Sequence, residues 1–237
     1  MQRCCMGVSW LGLIAGMLWA SAATAQEAPE LAWNSEPVPL AQIPATVRDH
    51  VRQTLERPTY TARGPAESFL CRPAMYHWFL EHPDRAVGAW RRLGARCVDI
   101  QDRGDGRFGW SDELGSDVHW DTVYRGPRMR VWYAEGRVKP GKLVPTLPVR
   151  AVVVLHYSED RDNNSRAVMT QQAELFLHTD SKTAAVVARL VGASAPKLGA
   201  QYVAQLELFY SALSWYMEQH PKQAEALLSD SPPSEQP

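Results

Sequence analysis

The segment Leu147 to Tyr157 (LPVRAVVVLHY) is almost continuously apolar and rich in valine. It is too short for a spanning helix and reads as a central strand covered on much of both faces. Its flanks alternate with period two. Val98 and Ile100 alternate with polar residues, and Asp105-Gly106 is a two-residue hairpin signal ahead of Phe108 and Trp110. Val118, Trp120, Thr122 and Tyr124 share one strand face, with Asp117, His119 and Asp121 on the other. Met129, Val131 and Tyr133 likewise oppose Arg128, Arg130 and Trp132, and Ala167 to Thr179 places Met169, Gln171, Ala173, Leu175 and Leu177 together. Five or six strands joined by turns predict a largely antiparallel sheet.

Helical periodicity brackets this sheet. Val47, Val51 and Leu55 recur every four residues before Pro58. Thr59 to Phe69 is a first strand weakened by Gly64 and Pro65. Pro73 and Pro83 suit the first turns of two short helices, the second ending at Gly94. Ser181 caps a predicted helix to Gly192, and Ala193 to Pro196 breaks the pattern. Leu198, Tyr202, Leu206, Tyr210, Leu213 and Met217 then form a stripe along a long helix, followed by a last short helix from Pro221. Residues 229–237 are polar and Pro-rich, as in a disordered tail.

The amino terminus carries an address. Arg3, the apolar run Val8 to Ala20 and the small residues Ala23-Thr24-Ala25 make the three-part pattern of a secretory signal peptide, residues 1–25, cleaved after Ala25. Residues 26–44 read as an extended leader, and 45–228 as one domain. The expected location is secreted or periplasmic. Of four cysteines, Cys71 and Cys97 would remain, and in an oxidising compartment a lone pair predicts a disulfide. Closing a loop of about 27 residues contributes roughly 3–4 kcal/mol in the chain-entropy model. A formal net charge of −1 argues against a nucleic-acid partner.

First strand, two short helices (CRPAMYHWFLEHPDRAVGAWRRLG), antiparallel strands, long carboxy-terminal helix: this order over Thr59 to His220 resembles the START-like helix-grip superfamily. The resemblance implies an α+β fold in which a curved antiparallel sheet wraps a long C-terminal helix, with short N-terminal helices. It further implies an apolar cavity between sheet and helix, and a lipid or other hydrophobic small molecule as partner. Its members are usually intracellular, so a signal peptide departs from the pattern, as do the helix at Val47–Leu55 and the break at Ala193–Pro196. It carries no catalytic residue across.

If the apolar sheet face packs on the long helix, Trp120, Tyr124, Tyr133, Tyr157 and Gln171 point toward it, and Tyr210 faces them from the helix. These six are the candidate ligand-binding residues: aromatic walls with a few polar groups suit a mostly apolar ligand. A filled core built from the same residues is the alternative. Other constellations are weaker. Asp117, His119 and Asp121 share a strand face and match metal-ligand types, on the side expected to meet water. His77, His82 and Asp84 are split by Pro83, and Arg103-Gly104-Asp105 fits a hairpin turn. The basic stretch Arg125 to Lys142 fits anionic head groups at a membrane surface, or a solvated strand face. No HExxH, paired CxxC, G-x-S-x-G or P-loop is present, and no cofactor or metal is expected. Three functions remain: a binding protein for a hydrophobic small molecule, an interaction module with a filled core, or a hydrolase or metal-dependent enzyme, for which no spacing argues even with His156 as a triad base.

Overall fold

The structure is a computed structural model, and it describes residues 36–139, 146–179 and 195–228. The expected signal peptide, the helix from Ser181 and the polar tail lie outside the described residues. Every element below lies within the unit Pro37–Pro237.

A 3-10 turn at Leu40–Gln42 leads into α1 (Ala45–Glu56). Strands β1 (Tyr60–Arg63) and β2 (Glu67–Leu70) come next, then α2 (Pro73–Glu81) and α3 (Pro83–Arg92). The sheet continues through β3 (Gln101–Asp102), β4 (Arg107–Ser111), β5 (Asp117–Arg125), β6 (Met129–Val138), β7 (Leu147–Arg161) and β8 (Ala167–His178). The long α4 (Ala195–Gln219) and the short α5 (Pro221–Leu228) end the described chain. The fold is α+β, as expected: an eight-stranded antiparallel open sheet in the order β1-β8-β7-β6-β5-β4-β3, with β2 also on β8. β1 and β2 together make one edge, broken at Gly64–Ala66 where the sequence places Gly64 and Pro65.

Both faces of the sheet are covered. On one side α4 and α2 pack Tyr76, Phe79, Leu80, Val203, Leu213 and Met217 against Trp132, Leu155, Tyr157, Met169 and Ala173. Full burial of a Leu or Met side chain here contributes about 1.5–3 kcal/mol. On the other side Ile43, just ahead of α1, and Val51 of α1 pack on Val123, Met129, Val131, Tyr133, Val152 and Val154. The alternation of β6 and β7 therefore serves two cores, which is why Leu147 to Tyr157 is apolar throughout. The expected leader contributes to the second core, since Ile43 is buried and Val38 and Leu40 pack on it.

Three expectations change. Tyr133 faces α1, not the long helix; its neighbours Arg130 and Trp132 take the helix side, because the apolar face of β6 was not the only buried one. Tyr124 also lies on the α1 side. A register shift between Thr122 and Tyr124 inserts Val123 as an extra residue, so Tyr124 no longer shares a face with Trp120. Finally, Cys71 is a buried free thiol, so the expected bond to Cys97 is not formed. Cys71 sits in the helix-side core, whereas the Cys97 stretch is tied to α3 through Arg91, which donates to the Cys97 carbonyl and pairs with Asp99 at 2.6 Å.

Candidate ligand-binding site

The site begins at the broken edge strand. Arg63 pairs with Glu174 and Glu67 with Gln171, so three residues of the edge oppose two of β8. Pro65 has no N–H to give the ladder. The Gly64 N–H still reaches the Ala173 carbonyl at 2.9 Å, and the Gln172 amide donates to the Gly64 carbonyl. The Ala173 N–H has no strand partner left. It donates instead to Glu207 Oε1 at 2.5 Å, a carboxylate inserted from α4 into the gap. A side chain at Gly64 would collide with that carboxylate, so the glycine is needed for close approach rather than for a special φ.

Glu207 is 1% exposed, and its Oε2 has no hydrogen-bond partner. Burial raises its carboxyl from the ordinary 4.5 to about 8, the Ala173 N–H opposes the rise, and Glu67 adds to it. At neutral pH the group is mostly a neutral acid.

Gln171 is fully buried beside it. Its Oε1 accepts from the Tyr76 hydroxyl at 2.6 Å, and its Nε2 donates to the Glu207 carbonyl at 2.8 Å and to Glu67 Oε2 at 3.2 Å. An inward amide with every group engaged joins α2, β2, β8 and α4. Burial pushes the Tyr76 and Tyr210 phenols upward, so both stay neutral. The Tyr210 ring stacks on Trp132 at 6.1 Å between centroids, and the Tyr157 hydroxyl donates to the Gly126 carbonyl at 2.7 Å.

Arg130 stands among these phenols, only 4% exposed. Its Nη2 pairs with Glu81 at 2.6 Å, and Arg125 pairs with the same carboxylate at 3.2 Å. Burial would raise the Glu81 carboxyl, but the two guanidiniums outweigh it and hold it below the ordinary range. Arg130 is thus an interior cation paired with Glu81.

At the seam of β2, β8 and α4 lies a groove of about 420 Å³, lined by Ser68, Phe69, Leu70, Asp162, Val168 and Trp215. Trp215 is 47% exposed on a helix whose other face is core.

Of the six expected residues, Tyr157, Gln171 and Tyr210 meet on the helix side and Trp120 packs at its border, while Tyr124 and Tyr133 belong to the other core. Tyr202 of the predicted stripe is exposed and Val203 is buried in its place. Steps of four residues advance about 400°, so a strict four-residue repeat drifts about 40° per step around the helix. Tyr76, Trp132, Arg130 and Glu207 were missed. Glu207 had a signal: it is the one charged residue between Leu198 and Met217. The weaker constellations disperse. Asp117 pairs with Arg103, His119 with Glu135, and His77 with Glu159, while His82 packs on the Trp78 ring. Among the described residues no three His, Cys, Asp or Glu side chains gather as a metal site. A hollow of about 230 Å³ over His119 is flanked by Arg103 and Arg107, which disfavours a cation there.

No family model matches the sequence, and no curated protein matches it. Among solved structures, the chain is similar to a conserved protein of Geobacillus kaustophilus at 12% identity, over 68% of this chain and 96% of that one, with a TM-score of 0.43. It is also similar to the di-domain ARO/CYC protein BexL of the BE-7585A biosynthetic pathway, at 13% identity and a TM-score of 0.40, over 73% of this chain and 55% of that one. A hypothetical protein of Helicobacter pylori matches at 11% identity over 70% and 92% of the two chains, with a TM-score of 0.39. Likenesses this distant carry no function or residue role to this chain.

Proposed function

We propose that the protein is a secreted or periplasmic, START-like binding module for an apolar small molecule held at the seam between the sheet edge and α4. The observation that carries this reading is the groove beside Trp215. Its volume lies in the range of small-molecule sites, and its walls are Phe69, Leu70, Val168 and Trp215 around a few polar groups. Tyr157, Gln171 and Tyr210 belong to the packed core between sheet and helices and line no part of the groove. The amino-terminal pattern ending at Ala25 supports the location.

Titration with the neutral apolar dye N-phenyl-1-naphthylamine tests the reading, with energy transfer from tryptophan as the signal. Saturable binding is expected, and Trp215→Ala should weaken it about tenfold or more, as for a tryptophan anchor. Absence of saturable uptake, together with ligand-free protein in native mass spectrometry, overturns it.

A second reading, a module that presents α4 to a macromolecule, is favoured by one observation. Leu208 and Trp215 are seven residues apart on one line of α4, 43% and 47% exposed. It predicts no dye uptake and a partner interface lost in Leu208→Lys.

A further inference from the structure

β2 is an edge strand with one open side. Among the described residues its partner in the sheet is β8, whose other flank pairs with β7. In an antiparallel ladder, alternate residues turn both N–H and C=O to the partner, and those between turn both away. Cys71, next in the β2–β8 register, donates its N–H to the Ala167 carbonyl at 3.3 Å, which fixes the phase. Glu67 and Phe69 therefore face β8, whereas Ser68 and Leu70 direct their backbone groups out of the sheet. Ser68 is exposed, and its hydroxyl is tied to Thr170 on the strand behind it at 2.9 Å.

The groove beside Trp215 runs along this edge. By register Phe69 shares the helix side with Met169, while Ser68, Leu70 and Val168 lie on the opposite face. A groove lined by Phe69 and Trp215 as well as by Ser68, Leu70 and Val168 passes the free edge between the two faces. Edge strands are ordinarily guarded by charge or proline, and Ser68-Phe69-Leu70 carries neither. The charged residue of the lining, Asp162, is already engaged by the Arg166 guanidinium at 2.7 Å and by the N–H groups of Asn164 and Arg166.

We infer that the groove takes a short, uncharged, apolar peptide that adds to β2 as an antiparallel strand of about three residues. The inference rests on the apolar-binding reading above and names its ligand class. The first and third residues of the ligand exchange N–H···O=C bonds with Leu70 and Ser68, which are two residues or roughly 7 Å apart on the edge. The middle residue lies opposite Phe69 and lays its side chain on the helix side, beside Trp215. Antiparallel addition continues the pairing of every ladder in the sheet. Main-chain bonds supply affinity in such an addition, and the wall that meets the alternate side chain supplies selectivity.

Displacement of N-phenyl-1-naphthylamine from the full chain by acetyl-Val-Phe-Val-amide and two of its N-methyl isomers tests it. One isomer carries the methyl on the Phe nitrogen, the other on the nitrogen of the third residue. The two have the same atoms, and hydrophobicity alone ranks both above the parent. In the added strand the Phe nitrogen points away from β2 and the third nitrogen toward the Ser68 carbonyl. The Phe isomer should bind within about threefold of the parent, and the other roughly 3–10-fold more weakly, for one lost hydrogen bond. Ser68→Pro puts a ring in place of the outward N–H and leaves the ladder to β8 intact. There the ratio of the two isomers should fall to about one, a readout that a general loss of packing does not produce. If that variant does not fold, the isomer pair on the natural chain decides alone. Dye uptake with equal isomers, or with the Phe isomer the weaker, overturns the inference and leaves the apolar-binding reading standing. So does an isomer ratio that survives in Ser68→Pro. A chain that sediments as a dimer and takes up the dye but no peptide overturns it in favour of a second copy on the edge. A chain that binds neither dye nor peptide overturns both.

Discussion

Glu207→Gln isolates the energetic role of the acid in the edge gap. Glutamine keeps an oxygen for the Ala173 N–H and places an amide beside Gly64, where no Cβ intrudes. It removes ionisation and little else. In the natural chain the carboxyl is raised from 4.5 to about 8, chiefly by burial. The folded state therefore binds a proton that the unfolded state has lost. The stability tied to this proton is fully present below the unfolded pKa, falls as pH rises through the window between the two values, and is gone above the folded one. At about 1.4 kcal/mol per unit, the window spans up to about 5 kcal/mol, an upper bound because solvent entry relieves a buried charge. Urea unfolding of both chains from about pH 5 to pH 9.5 reads the effect. Near pH 5 the two should agree within about 1 kcal/mol. Toward pH 9 the natural chain should lose at least about 2 kcal/mol relative to the variant. Other titrating groups are common to both chains and cancel in the difference. Parallel curves, differing by a constant to within about 0.5 kcal/mol, would refute the assignment of a neutral Glu207.

Glu81→Gln should cost about 3 kcal/mol in chemical unfolding, because it strands the Arg130 charge in the interior; in a double-mutant cycle, Arg130→Met should recover part of that loss. The Cys71 thiol, pushed up to about 12 by burial first and then by Glu218 and Glu159, should resist a thiol reagent in the native chain and react on unfolding. Fast native labelling at this position would contradict the packing of β2 against α2.

The sequence reading succeeded where one periodicity had one meaning. The alternation from Val118 to Thr122 and along Ala167–His178, the two proline-initiated helices and the stop at Gly94 fall as expected, each backed by a local rule. It failed where a pattern had two solutions. Alternation along β6 shows that residues 129, 131 and 133 share a face but not which helix covers it, and the charges of Arg128 and Arg130 made the other face look solvated. The pairing of Arg130 with Glu81 from α2 is a long-range contact without a local signature. The extra residue at Val123 likewise emerges only from the pairing with β6. A cysteine pair satisfies composition and compartment, yet bond formation depends on geometry that neither reports.

The same limit explains why the site was half legible. Gly64 and Pro65 announce a weak strand, and the sheet duly breaks there. The break has a consequence one layer away: it strips Ala173 of its strand partner, and a backbone N–H in the core must find an acceptor. A neutral side chain would satisfy it at less electrostatic cost. Instead α4, otherwise uncharged from Leu198 to Met217, supplies Glu207, and then sets Ser211 and Ser214 along the same line. Filling the gap needs only one oxygen. The second carboxyl oxygen is left buried without a partner, and that desolvation is what holds the proton on the acid.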